Sequence, residues 1–236
     1  MLAIFKRELR SYFTSPIGYV FIALFLAINA FLFSGMTYVG RITTDVGGYF
    51  TFIIFAFIII APMLTMKLFS EERKTRTEQL LLTSPVSLFG MVFGKFLAAF
   101  TMFGGTFIVG SIINFMILYS YSTPNTAVVF SNMLGVLLIG AAFIAIGVFV
   151  SALTENQMVA ALGTMGIVLF MLMIQFANSY IDSYILRVIL SWVSVFSRFS
   201  NFGYGIIDLA SLLYYFSISF IFLFLTVRLY EKRRWS

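Results

Sequence analysis

Cysteine and histidine are both absent from the 236 residues. Without thiols there is no disulfide, no iron–sulfur cluster and no thiol nucleophile, and without imidazole the commonest metal ligand and general base are missing. Charge is scarce as well. Only 10% of the residues are Asp, Glu, Lys or Arg, against roughly 25% in a soluble domain. Apolar residues take their place, at 61% of the chain and a mean hydropathy of +1.03. Water cannot keep such a chain folded and dispersed, so it reads as an all-α integral membrane protein. Six helices of about 20 residues occupy roughly 120 positions and leave only short loops. Residues 1–236 therefore form one membrane domain with no separate globular part.

The 15 Lys and Arg against 9 Asp and Glu would suit a nucleic-acid binder if they formed a surface. They sit instead in short clusters between apolar runs and read as membrane topology, with no nucleic-acid partner. The spans fall at Ile17–Val39, Tyr49–Leu68, Lys95–Tyr119, Ala127–Val150, Gln157–Phe176 and Asp208–Arg228. An even number puts both termini on one side. The positive-inside rule makes that side cytoplasmic, because Lys6, Arg7 and Arg10, then Lys67 to Lys95, then Arg228 to Arg234 all fall there. The outer connections keep only Arg41, Arg187 and Arg198. The first apolar run is too long for a cleaved signal peptide and reads as a span. These features read as a multi-pass membrane protein, and the plasma membrane is its expected location.

Three segments outside the spans carry information. In residues 1–15, Met1, Leu2, Phe5, Leu9, Tyr12 and Phe13 share one side of a helical wheel, with Lys6, Arg7 and Arg10 beside them, as in a helix lying in the membrane interface. A charged extension of the first span is the alternative. Residues 70–85 hold Glu71, Glu72, Arg73 and Lys74, then Thr75-x-x-Glu78, which reads as a capping box, then Leu80, Leu81 and Leu82, and Pro85 as a stop. The spacing predicts a short helix, charged at its start and apolar at its end, suited to docking in a partner's groove; the leucines packing under the bundle is the plainer reading. Residues 177–207 are too polar for a span and too apolar for a solvated loop. Short helices dipping back between the spans would satisfy their amides, with an amphipathic surface loop as the alternative.

The stretch Leu64-Thr-Met-Lys-Leu-Phe-Ser-Glu-Glu-Arg-Lys74, running into Gln79-Leu-Leu-Leu-Thr-Ser-Pro85, resembles the segment between the second and third spans of ABC-2 type transporter permeases, particularly the gliding-motility-type group. Phe5-Lys-Arg-Glu-Leu-Arg-Ser-Tyr-Phe-Thr-Ser-Pro-Ile-Gly18 and Ser151-Ala-Leu-Thr-Glu-Asn-Gln157 agree with it in the same order. The likeness runs to about residue 160; beyond that it is one of hydropathy and length. Relatives carry a small residue followed by Thr-x-Glu where this chain has Arg76-Thr-Glu-Gln79, so the acid is displaced by one position. The resemblance implies an exporter permease whose 70–85 segment is a coupling helix. It implies an ATPase-subunit interface made of Glu71, Glu72, Arg73, Lys74, Glu78, Leu80, Leu81, Thr154, Glu155 and Asn156, and an interfacial helix carrying Phe5, Lys6, Arg7 and Arg10. It also implies two copies of a nucleotide-binding ATPase subunit and a second permease copy or homologue, with ATP and magnesium held by the ATPase and no cofactor in this chain.

Other chemistry finds no motif. Gly90-Met-Val-Phe-Gly94-Lys95-Phe96 is one residue short of a phosphate-binding loop and lacks its hydroxyl, so the chain is no ATPase; the two glycines also form a Gly-x-x-x-Gly packing pattern. Gly205-Ile-Ile-Asp208 does not match the turn of an intramembrane aspartyl protease, and the 12 Met residues form no copper-binding array. Asn29, Asn114 and Gln175 are candidate buried polar residues within spans, read as interhelical hydrogen bonds or as pathway lining. The rival class is an ATP-independent secondary transporter or a membrane scaffold.

Overall fold

The computed structural model describes residues 1–37, 46–79, 87–178, 185, 190 and 194–235. The described residues are helical and contain no strand. In chain order the helices are α1 (Leu2–Thr14), α2 (Pro16–Thr37), α3 (Gly47–Thr65), α4 (Ser70–Lys74), α5 (Leu88–Tyr121), α6 (Thr126–Leu153), α7 (Gln157–Asn178), α8 (Val195–Gly203) and α9 (Leu209–Trp235). Six of them, α2, α3, α5, α6, α7 and α9, are long and apolar enough to cross a membrane. They correspond to the six spans read from hydropathy. α9 runs on to Trp235, past the expected end at Arg228, and α5 is the longest. Its 34 residues begin well before Lys95 and at ~1.5 Å per residue exceed the ~30 Å hydrocarbon layer.

α6 is the centre of the bundle. Of its apolar window 72% is buried, against 28% for both α2 and α7, and it packs against α3, α5, α7, α8 and α9. Aromatic rings fill the space beside it: Phe57 meets Phe103 at 5.0 Å and Phe143 at 5.8 Å between centroids, both edge to face. The peripheral helices keep large apolar side chains outward, among them Phe31, Phe170, Met173, Phe216 and Phe220, as lipid-facing surfaces require.

At the junction of α1 and α2, Ser15 is extended and Pro16 opens the next helix. A Cβ on Gly18 would lie 2.0 Å from the Tyr12 carbonyl oxygen, so only glycine lets α2 leave α1 at this angle. α1 then folds back along the start of α5. Cβ atoms on Gly90 and Gly94 would meet Met1, at 3.6 Å from its Cβ and 3.3 Å from its carbonyl oxygen respectively. The Gly-x-x-x-Gly pattern thus serves contact between α1 and α5 within this chain.

At the opposite end of the bundle lies α8, the described part of the 177–207 segment after α7. Val195, Phe199 and Phe202 are buried. Three hydroxyls tie its backbone down: Ser131 donates to the Phe202 carbonyl (2.7 Å), Tyr215 to that of Val195 (2.8 Å) and Ser211 to that of Arg198 (3.2 Å). Residues 179–184, 186–189 and 191–193 of that segment, like Arg41, lie outside the described residues.

Two of the polar span residues meet. Asn114 Nδ2 and the Tyr49 hydroxyl both donate to Asn29 Oδ1, at 2.5 and 3.3 Å, joining α5 and α3 to α2. The Gln175 side chain lies outside the described set. Interhelical hydrogen bonds in membranes are worth about 0.6 kcal/mol on average and at most about 1.7. Asn114→Leu removes one bond and Asn29→Leu both, so denaturation in detergent should show a loss of about 0.5–1 kcal/mol for the first and a larger one for the second.

Candidate functional site

Except for Arg198 and Asp208, the described charged residues gather at the end of the bundle that carries both termini. The chain leaves α3 through a turn at residues 66–69 and enters the five-residue helix α4. Glu71 and Glu72 stand in its first turn and Arg73 and Lys74 in its last, the order that the helix dipole favours. Its N-cap, Phe69, has no capping side chain. The cap comes from α6 instead: Ser151 Oγ accepts hydrogen bonds from the Phe69 and Ser70 amides at 3.1 and 3.2 Å and donates to the Met66 carbonyl at 3.2 Å. Orphan amides of a helix start are thereby satisfied from a distant element.

Helix α4 stops at Thr75, whose hydroxyl donates back to the Glu71 carbonyl at 2.9 Å. Arg76 follows with φ 58°, in the left-handed region. This corrects the capping-box expectation. Thr75 closes α4, with both its amide and its hydroxyl donating to the Glu71 carbonyl, and the Glu78 carboxylate pairs with Arg233 instead of turning back to Thr75. Glu78 and Gln79 return to helical conformation, and the rest of the 70–85 segment, including Leu80, Leu81, Leu82 and Pro85, lies outside the described residues.

The deepest member of the site is Lys95, seven residues into α5 and 1% exposed. Its ammonium carries three donors, and all three are engaged: Glu72 Oε1 at 2.9 Å, Glu8 Oε1 at 3.2 Å and the Leu68 carbonyl. The Phe69 ring lies 4.9 Å away, close enough for a cation–π contact. Arg7 Nη2 bridges the same two carboxylates, at 2.6 Å from Glu8 and 2.7 Å from Glu72. Two cations and two anions balance, and they come from α1, α4 and α5. Nearby, Tyr12 of α1 donates to the Leu64 carbonyl at 2.6 Å. Burial, with the Glu8 charge added, pushes its phenol up and keeps the proton in place. A cavity of about 350 Å³ lies among Glu8, Tyr12, Lys67, Glu71 and Lys95.

The last turn of α6 is gripped from two sides. Arg73 Nη1 donates to the Leu153 carbonyl at 2.8 Å while its Nε stands 3.0 Å from Glu155. Arg233 of α9 donates to the Ala152 carbonyl at 2.8 Å and reaches Glu78 at 3.3 Å. Carbonyls left unpaired at a helix C-terminus thus receive guanidinium donors. Thr154 and Asn156 act locally, Thr154 Oγ1 accepting from the Asn156 amide and Asn156 Oδ1 from the Met158 amide at the start of α7.

Of the residues expected at a partner surface, Glu71, Lys74, Glu155 and Asn156 are exposed on one end of the molecule, the two loops joined by the Arg73–Glu155 pair. Glu71 also stands 3.7 Å from Lys67. Glu72 and Glu78 turn inward to Lys95 and Arg233. On α1, Lys6, Arg7 and Arg10 are exposed and Phe5 is half-buried. Glu8, Lys95, Ser151 and Arg233 were not among the expected residues. Lys95, a lone charge inside an apolar run, carried the clearest signal; Ser151 and Arg233 carried none, since serine is common in spans and terminal arginines ordinarily mark topology.

Among the described residues, six helices able to cross a membrane, an amphipathic N-terminal helix packed along α5 and a charged junction at one end have the build of a membrane transport subunit. The family model of the ABC-2 family transporter proteins matches residues 2–186, well over half of the chain, and the chain belongs to that family. The match extends beyond the motif-bearing stretches into the segment after α7. No curated protein sequence matches the chain.

Replacing Lys95 leaves two carboxylates facing each other with one shared guanidinium. Breaking a buried ion pair costs about 3–5 kcal/mol, so Lys95→Met should lower the thermal unfolding midpoint in detergent sharply. Adding Glu8→Gln to it should restore part of the loss.

Proposed function

We propose that this chain is the permease of an ATP-binding cassette exporter of the gliding-motility-type group, driven by two copies of a separate nucleotide-binding ATPase subunit and paired with a second permease. The observation that carries this reading is the joint exposure of Glu71, Lys74, Glu155 and Asn156 on a surface whose supports run straight into the bundle. Family membership supports it, as do the three motif stretches. The charged end faces the cytoplasm, in keeping with the clustering of Lys and Arg there.

Closure of the ATPase pair on nucleotide presses on α4 and on the loop at Glu155. Ser151, Arg73 and Arg233 pass the displacement to α6, the central span. Lys95 passes it to α5 and α1. The substrate moves outward through the paired permeases, and ATP and magnesium stay on the partner. A re-entrant role for the 177–207 segment fits this scheme, α8 being the part that would line the outer exit.

Purification from native membranes should bring down an ATPase subunit; a stable complex without one would favour the scaffold or secondary-transporter reading. Reversing both Glu71 and Glu72 should uncouple ATP hydrolysis from export. Glu71→Lys alone is the cleaner test, because Glu71 is half exposed and only loosely paired. It should leave the unfolding free energy within about 0.5 kcal/mol of wild type while lowering ATPase association, measured by copurification.

A further inference from the structure

An apolar groove of about 410 Å³ runs between α1, α2 and α5. Leu9 and Phe13 form one wall, Ile22 and Leu26 a second, and Met102 and Val109 the third. Two threonines line it, and both spend their O–H donors on their own helix: Thr101 donates to the Leu97 carbonyl and Thr106 to the Met102 carbonyl, both at 2.7 Å. The floor is open at Gly105, where a Cβ would meet nothing within 4 Å. The groove is lined mainly by apolar side chains, unfilled by the described residues and bordered by the exposed Phe13 and Val109.

The wall contributed by α1 carries charge as well. Lys6, Leu9, Arg10 and Phe13 stand at i, i+3, i+4 and i+7 and share one helix face. Lys6 and Arg10 are both exposed. The acids of this region are already committed: Glu8 and Glu72 bind Lys95 and Arg7, and Glu71 pairs with Lys67. Among the described residues, two cations without an acidic partner thus stand on the helix face whose Leu9 and Phe13 line the apolar slot, on a helix whose amphipathic spacing suits the membrane interface.

We propose that this face is a binding site for an anionic phospholipid, with one acyl chain in the groove and the phosphate between Lys6 and Arg10. Charge complementarity selects the headgroup, since basic residues between membrane helices attract anionic lipids. Long cationic side chains reach the headgroup level while their stems stay on apolar surface. The open position at Gly105 leaves room for the chain. A bound lipid would fill the gap under α1 and so hold that helix against α5, where Glu8 meets Lys95.

The full chain, reconstituted in vesicles of equal phosphatidylglycerol and phosphatidylcholine and released into native mass spectrometry, tests this directly. The wild type should retain phosphatidylglycerol in preference to phosphatidylcholine. Lys6→Gln and Arg10→Gln should each lower that preference about fivefold while a lipid is still retained. Gly105→Leu, which fills open space, should reduce retention of both lipids. Arg228→Gln with Lys232→Gln, at the far terminus, should leave the preference unchanged. Unaltered retention in the α1 variants and in Gly105→Leu would overturn the proposal. So would a change of oligomeric state in Gly105→Leu at constant lipid retention, because a second copy of the chain would then be the occupant.

Discussion

The Lys95 ammonium holds the charged end of this protein together. It is buried, it has three protons to give, and it gives them to three different elements: Glu8 on α1, Glu72 on α4 and the Leu68 carbonyl in the turn after α3. Because no donor is spare, none of those elements can shift without leaving a polar group unpaired in an apolar setting, at a cost of about 1–3 kcal/mol or more for a charge. α1 would otherwise be a surface helix of 13 residues, too short to be stable alone in water. Its position follows from the cluster, from the Tyr12 bond to Leu64 and from the glycines of α5 beneath Met1.

The same logic explains the shape of the segment after α3. Five residues make a poor helix by themselves, and α4 has no capping side chain of its own. It forms because Ser151 supplies the cap and because its Arg73 supplies donors to the end of α6. Each helix terminus completes the other. With Arg233 contributing a second guanidinium, the last turn of α6 becomes the place where α4 and α9 meet the most buried span. A displacement applied at α4 therefore reaches the middle of the bundle through hydrogen bonds rather than through loose side-chain contact.

The spans were legible because lipid imposes one rule on the chain: long apolar helices with charge at their ends. Hydropathy located all six spans, and the charge clusters gave the common side of the termini. The helix α1 followed from its amphipathic spacing. Legibility failed where a local pattern was overridden by a distant partner. Thr75-x-x-Glu78 has the spacing of a helix start, yet Ser151, 76 positions beyond Thr75 in the chain, starts the helix earlier and Arg233 takes the Glu78 carboxylate. Glu72 looked like surface charge beside Glu71, but on so short a helix adjacent residues point apart, and only Glu72 faces Lys95. Such pairings depend on which elements the fold brings together, and local spacing does not encode that.

A junction of this kind is costly to build from charges. Desolvating Lys95 and its carboxylates offsets much of their attraction, and apolar residues of similar volume often give equal or greater stability. Apolar contact, however, is non-directional, and helices packed through it slide over small distances at little cost. The Lys95 cluster has one geometry in which every donor is used, and so does the guanidinium grip on α6. Where a helix must carry a push from one element to another without slipping, directional bonds at both ends serve better than grease. These pairs bind α4 to α1, α5 and α6, so that under the proposed function a force applied at α4 would move those helices together.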